Sequence, residues 1–210
     1  MEMLIFFAVL LGIMAIVIVV VLKKGPEWAA AARKAHVEKW TPYAQARGFA
    51  IAVDETSRFG ANVVKLQGQF EGVPIVIDSY SVEHTDSDGH RSSETFTRVN
   101  ARASAPLALR ASFYREHALS GLGSLLGFQD VKLGDPAFDA AFVVKASDEG
   151  AVRYLCHPGV RQALLALPKP VRSSYEQGVI EISWKGLETE PTMFDAACRV
   201  ASALATPARG

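Results

Sequence analysis

An uninterrupted apolar run near the N-terminus constrains this chain more than any other feature. Residues 3–22, MLIFFAVLLGIMAIVIVVVL, are twenty consecutive residues without a charged side chain. A helix of that length spans about 30 Å, the thickness of the hydrocarbon core of a bilayer. A surface helix of a soluble protein would have a polar face, which this run lacks. The sequence therefore predicts a transmembrane helix over residues 3–22.

A cleaved secretory signal is the alternative interpretation of this run. Such a signal begins with basic residues and has an apolar stretch of about 7–15 residues before a small-residue cleavage site. Here no basic side chain precedes the run, and Lys23 and Lys24 follow it directly. The alanines at 29–32 resemble a cleavage site, but the length of the run and its flanks favour an uncleaved anchor.

The basic residues after the run predict the orientation. Six basic and two acidic side chains lie between residues 23 and 47, and Lys and Arg beside a transmembrane segment favour the cytoplasmic side. We therefore expect a single-pass inner-membrane protein with its N-terminus outside and its C-terminal domain in the cytoplasm. Across the whole chain 22 basic residues balance 22 acidic ones, so we expect no nucleic-acid partner.

Residues 23–48 predict a basic amphipathic connector. Thr41 and Pro42 form a helix-start pair, which predicts a break between two helices, and Gly48 predicts the end of the second. The apolar side chains expected to share a face are Trp28, Ala32, Ala35 and Trp40. One hypothesis is that the basic residues contact anionic lipid headgroups, and these are Lys23, Lys24, Arg33, Lys34 and Lys39. The alternative is an ordinary connector between anchor and domain.

The remaining sequence predicts one α+β domain over residues 49–205 and a frayed tail over 206–210. Alternating apolar residues, typical of strands, dominate residues 49–113, with a tight hairpin at Glu71–Gly72. Helical patterns dominate the second half, which also contains one more strand, and the last helix opens at Pro191. Strands followed by helices, without regular βαβ units, favour an antiparallel sheet with several packed helices. The residues expected in the core are Val64, Leu66, Phe70, Ile75, Ile77, Leu109, Phe142, Val144, Leu164, Ile180, Ile182, Trp184 and Phe194.

The stretch EHTDSDGHR, residues 83–91, is the strongest candidate for chemistry. Its metal-ligand residue types recur at every second position, as His84, Asp86, Asp88 and His90. In an extended strand the first and last of these would lie about 20 Å apart, so only a curled loop could bring all four to one ion. The neighbouring pair Asp88–Gly89 favours a turn. We interpret the stretch as the polar tip of a hairpin between strands at 73–82 and 94–104. A metal site, or the catalytic site of a membrane-anchored hydrolase or metal-dependent enzyme, is the alternative.

Two other patterns have structural interpretations. The glycines of SGLGSLLG, at 121, 123 and 127, have the spacing GxGxxxG rather than the dinucleotide-binding GxGxxG, and no strand leads into them. Cys156 and His157 are adjacent, but helical neighbours point about 100° apart, which disfavours a catalytic pair. We expect Cys156 and Cys198 to be buried thiols, although their number alone leaves a disulfide open. The sequence thus predicts no cofactor and no catalytic residue.

The segments GDPAFDAAFVV (134–144) and RYLCHPGVRQALLAL (153–167) resemble uncharacterised bacterial families in which a membrane segment precedes an α+β domain. The matching residues are Asp135, Phe138, Asp139, Phe142, Val143, Val144, Leu164 and Leu165. The resemblance implies packing roles and no activity. In the residue pattern itself, Asp135 is expected to cap a helix that begins at Pro136. Taken together, these features predict a membrane-tethered binding or scaffold module, which binds the bilayer through its first helix and a membrane-associated protein through its domain.

Overall fold

The structure, a computed structural model, describes residues 24, 27–54, 64–85, 87–115 and 128–206. The predicted transmembrane helix at 3–22, Lys23, Asp86, the glycines of SGLGSLLG and residues 207–210 lie outside these ranges. Within them, no helix is both long and apolar enough to cross a membrane. The transmembrane helix therefore stays a prediction.

The described residues form one α+β fold around a nine-stranded antiparallel sheet, which confirms the predicted class. The strand order is β1-β2-β3-β4-β9-β8-β5-β7-β6. The strands are β1 (Ala50–Val53), β2 (Val64–Phe70), β3 (Val73–Thr85), β4 (Arg91–Arg102), β5 (Arg110–Arg115), β6 (Gln129–Val131), β7 (Phe142–Ala146), β8 (Arg172–Glu176) and β9 (Val179–Lys185). The helices are α1 (residues 27–47), α2 (Pro136–Ala141), α3 (Glu149–Leu155), α4 (Pro158–Leu165) and α5 (Pro191–Ala205).

Several local predictions are confirmed by the geometry of turns and caps. Phe70 pairs with Val73 across the predicted hairpin, and both turn residues have positive φ, 51° at Glu71 and 80° at Gly72. This backbone is the tight turn that matches the twist of paired strands. The carboxylate of Asp135 caps α2 by accepting a hydrogen bond from the backbone N–H of Phe138 at 3.2 Å.

All described helices contribute to one hydrophobic core, on one face of the sheet. Helix α5 lies across β2, β3, β4 and β9, and α4 packs against α5 and α2. Strands bury alternate residues against these helices, as Ile75 and Ile77 do on β3 and Ile180 and Ile182 do on β9. Every residue predicted for the core is buried except Phe70, which is half-buried at the end of β2.

The predicted helix break at Thr41–Pro42 is wrong, since α1 runs through it from residue 27 to 47. Packing on both sides of the proline holds the helix: the rings of Trp40 and Tyr43 lie 5.8 and 4.7 Å from the ring of Phe194 on α5. Helix α1 therefore contributes its C-terminal half to the core. The predicted shared face is also wrong, because Trp40 is fully buried while Trp28 is 57% exposed.

Glu188 fixes the loop between β9 and α5. Its buried carboxylate accepts hydrogen bonds from Lys169 Nζ (2.8 Å), Trp184 Nε1 (3.0 Å) and the backbone N–H groups of residues 189 and 190. Its backbone N–H donates to Thr97 Oγ1 and its carbonyl accepts from Trp40 Nε1, both at 2.8 Å. Burial alone would raise the pKa of Glu188, but these hydrogen bonds, led by that from Lys169, hold it below its usual value. Glu188 thus joins α1 and β4 through its backbone, and β9 and the start of α5 through its side chain.

Candidate functional site

The second face of the sheet, which we call the open face, carries the candidate site. Side chains alternate along a strand, so the neighbours of the core residues point away from the described helices. A continuous row of cross-strand partners crosses the middle of this face. From β2 to β5 the row is Lys65, Asp78, Arg98, Ser183, Arg172 and Tyr114. The open face is therefore mostly polar, and its centre is charged.

Arg98 is the centre of a charge network on the open face. Its Nε and one terminal nitrogen each donate to an oxygen of Asp78 at 2.9 Å, and the other terminal nitrogen donates to Glu181 Oε2 at 3.1 Å. Asp78 is 5% exposed, whereas the side chains of Arg98 and Glu181 are 25% and 32% exposed. The hydrogen bonds to Asp78 raise the pKa of Arg98, so the guanidinium stays charged. The network is rigid because planar, bidentate pairing fixes the position of each group.

Two aromatic rings border this network. Tyr80 and Phe96 are cross-strand partners whose rings stack with centroids 5.3 Å apart. The guanidinium carbon of Arg98 lies 5.0 Å from the centre of the Tyr80 ring, which is a cation–π contact. Both rings are half-buried, so the open face carries partly exposed aromatic surface beside fixed charges.

Buried hydroxyl-bearing side chains lie on the other side of Arg98, and we call this cluster the recess. Ser183 and Ser112 are 4% and 5% exposed, and Tyr114 is 1% exposed although it lies outside the hydrophobic core. Within the described ranges, no hydrogen bond joins their hydroxyl groups to another residue. Arg172 is the direct cross-strand partner of both Ser183 and Tyr114 and is exposed. The recess therefore combines one guanidinium with three hydroxyl donors.

The EHTDSDGHR stretch lies at the end of a two-stranded arm. Strand β3 pairs with β2 as far as Asp78, and β4 pairs with β9 as far as Phe96. From the partners Tyr80 and Phe96, β3 and β4 continue as a pair to Thr85 and Arg91, about 17 Å further at the rise of a strand. The turn is confirmed, with a φ of 83° at Gly89, but the strands extend further into the stretch than predicted.

The four candidate metal ligands are distributed over this arm. His84 lies on β3 with Nε2 3.9 Å from Glu94 Oε2, and that carboxylate also pairs with Lys185 Nζ at 2.6 Å. Asp88 and His90 lie in the exposed tip, and Asp86 is outside the described residues. Among the residues described, no three His, Cys, Asp or Glu side chains are placed to hold a metal ion. A site that uses Asp86 stays a prediction.

The two cysteines are buried, unpaired thiols. Burial raises the pKa of both thiols to about 12, so they stay protonated at neutral pH. His157 Nδ1 accepts a hydrogen bond from the backbone N–H of Gly159 at 3.2 Å and so caps α4. His157 also lines a pocket with Tyr154, Tyr175 and the end of α5, but its volume is about 20 Å³, room for roughly one water. This region shows packing rather than nucleophilic chemistry.

The basic side chains proposed to contact lipid lie along the N-terminal half of α1. Lys24, Lys34 and Lys39 are exposed, and Lys34 pairs with Glu38 at 3.9 Å. Arg33 is half-buried, on the side of the helix that continues to Trp40. The structure therefore leaves three of the five candidates open to solvent, and Lys23 lies outside the described residues.

Comparison with known proteins gives a fold neighbour and no family. No family model matches the chain, and no curated protein matches it. Among solved structures, the fold is similar to the crystal structure of the mycobacterial trehalose monomycolate transport factor A, TtfA, with a TM-score of 0.52. The sequences are 11% identical, and the match covers 83% of this chain and 98% of that one. At this identity the likeness shows the fold alone.

Proposed function

We propose that this chain is a membrane-tethered cytoplasmic binding or scaffold module whose binding surface is the open face of its sheet. The run at residues 3–22 is the proposed tether, at the inner membrane with the C-terminal domain in the cytoplasm. The proposed partner is a membrane-associated protein. A tether of this kind raises the local concentration of a weak binder near other membrane components.

The observation that carries this proposal is the charge network of Asp78, Arg98 and Glu181 on a face that no described helix covers. Buried charge clusters cost free energy to assemble and are weak evidence for stability alone. A rigid network beside half-exposed rings, at the centre of a broad sheet, is better suited to contact a partner. The pocket beside His157, in contrast, is too small for an organic substrate.

The name of the fold neighbour supports this proposal. TtfA is named as a transport factor for trehalose monomycolate. An accessory part in a transport process is one form that a membrane-tethered binding module takes. We carry over this role as a proposal and transfer no ligand.

Two measurements test the proposal in intact cells. First, a reporter active only in the cytoplasm is fused after Gly210, and membranes are washed with alkaline carbonate. We expect an active reporter and a chain that stays with the membrane pellet. An inactive fusion, or a chain released by the wash, would overturn the tether or its orientation.

Second, a photoreactive benzoylphenylalanine replaces one residue on each side of the domain. Asn100 is half-exposed on the open face, between its partners Val76 and Glu181, and Tyr154 is 52% exposed on α3. We expect a discrete crosslinked product from position 100 and none from position 154. Equal products at both positions, or a product only at 154, would remove the open face as the binding surface.

A further inference from the structure

Each carboxylate on the strands of the open face already pairs with a basic side chain of the domain. Asp78 and Glu181 share Arg98, Glu176 pairs with Arg110 at 3.1 Å, Asp130 with Lys145 at 3.7 Å, and Glu94 with Lys185 at 2.6 Å. These five are all the acidic residues that alternation places on this face of the nine strands. Every carboxylate on this face of the described strands therefore has a basic group beside it.

Three cations on the same face are not paired with a carboxylate in the described structure. Lys65, Arg102 and Arg172 make no ion pair and no hydrogen bond with any residue that the structure describes. Arg102 and Arg172 are exposed, and Lys65 is half-buried. The charge that the open face offers to a partner is therefore positive, although the whole chain is neutral.

The spacing of these cations is wide. Lys65 and Arg172 lie in one row, four strands apart, which is about 19 Å at the usual distance between strands. Arg102 is four residues along β4 from that row, about 13 Å away. These separations exceed the screening length of about 8 Å at physiological salt, so the cations attract separate charges.

Of the three cations, Arg172 is the one with hydroxyl-bearing side chains around it. Its direct cross-strand partners are Ser183 and Tyr114, and Ser112 lies two residues further along β5. Each of these side chains is more than nine-tenths buried, and none has a hydrogen-bond partner in the described structure. A hydroxyl and a guanidinium both donate hydrogen bonds, and a carboxylate accepts several at once. The recess therefore fits a carboxylate.

We propose that the open face binds an extended acidic segment of a partner protein, with one carboxylate in the Arg172 recess and others at Arg102 and Lys65. This rests on the proposed function and names the chemistry of its partner. An extended chain follows the surface of a twisted sheet. A flat bilayer does not, because a twist of 20–25° per strand turns the face by about 80–100° between Lys65 and Arg172.

The test is fluorescence anisotropy with the full chain in phosphatidylcholine nanodiscs. The probe is a fluorescein-labelled decapeptide of alternating Glu and Ser, and its neutral control is the Gln–Ser decapeptide. R102E/R172E reverses the two exposed cations of the open face that make no ion pair in the described structure. R153E/R199E makes the same change in net charge on the exposed helical side, since Arg153 and Arg199 lie on α3 and α5.

We expect the Glu–Ser peptide to bind about tenfold more tightly than the Gln–Ser peptide, and more weakly at high salt. R102E/R172E should reduce its affinity by about tenfold or more, and R153E/R199E by less than about twofold. Equal binding of the two peptides, or equal losses in the two variants, would overturn the proposal.

Phosphatidylserine vesicles form a second arm of this test. Vesicle binding that needs Arg102 and Arg172, in a chain that does not bind the peptide, would assign the face to lipid instead and overturn the proposal. The crosslink from position 100 distinguishes failure of the acidic-partner proposal from failure of the proposed binding function. If that crosslink survives R102E/R172E, the binding module stands and the acidic partner does not.

Discussion

Arg98→Met tests the charge network at the centre of the open face. Methionine keeps much of the side-chain volume but removes three charged hydrogen bonds, two to Asp78 and one to Glu181. A hydrogen bond to a charged group contributes about 1.5–3 kcal/mol, and breaking a fully buried pair costs about 3–5 kcal/mol. Because the Arg98 side chain is 25% exposed, solvent reduces this loss, and we expect about 2–4 kcal/mol.

The assay is urea unfolding of the full chain in mild detergent, followed by tryptophan fluorescence. Trp40 and Trp184 are both buried and report on the core. For a chain of this size the expected loss corresponds to a melting temperature lower by roughly 5–12 °C.

Asp78→Asn combined with Arg98→Met is the matched control. Arg98→Met alone leaves the carboxylate of Asp78 buried without its cation, whereas the double variant has no such charge. We therefore expect the double variant to be more stable than Arg98→Met by about 1–2 kcal/mol. A loss below about 0.5 kcal/mol for Arg98→Met, or a double variant that is less stable than the single one, would refute the network as described.

Three further predictions concern the core and its titratable groups. Phe142→Ala should destabilise the fold by about 3–5 kcal/mol, since the ring is 2% exposed and stacks on Phe138 at 5.0 Å; an unchanged urea midpoint would remove it from the core. Glu188→Gln should cost about 1–3 kcal/mol at neutral pH. Because the folded pKa of Glu188 is lowered, its contribution is complete above the usual carboxylate range and is lost as the pH falls through the folded pKa; a difference between wild type and variant that does not shrink in acid would contradict this. Cys156 and Cys198 should resist maleimide at neutral pH until urea unfolds the chain, and rapid labelling of the folded protein would exclude their buried, protonated state.

Elements of the fold that are determined by neighbouring residues could be predicted from the sequence. The Asp135 cap, the Glu71–Gly72 hairpin and the final helix depend on residues within one or two turns of each other. The break at Thr41–Pro42 was predicted wrongly because contacts with Phe194, some 150 residues away, outweigh the local preference of proline.

The short strands β6 and β8 were not predicted for a related reason. Strand β8, RSSYE, has few apolar residues, and only its partners β5 and β9 make it part of the sheet. Its pattern alone is that of a polar loop.

The open face was missed because it depends on the order of the strands. Asp78, Arg98 and Glu181 lie on three strands separated by up to 103 residues, and β9 lies beside β4 only in the folded topology. One signal was available: Asp78 and Arg98 carry opposite charges on two strands that were predicted to form a hairpin. The EHTDSDGHR stretch was the strongest candidate for chemistry because its metal-ligand residue types are close in sequence. The structure, however, distributes the described ones along an exposed arm.

The most direct test of the account is the accessibility of the open face in native membranes. A cysteine is placed at Asn100 on the open face or at Tyr154 on α3, in the full chain, where both native thiols are buried. The rate of maleimide labelling is then compared between intact membranes and purified chain. We predict that the cysteine at position 100 reacts about tenfold more slowly in membranes, as expected for a surface covered by a partner, and that the cysteine at 154 reacts equally in both. Equal rates at position 100 in the two preparations would contradict the open face as the binding surface of a membrane-tethered module.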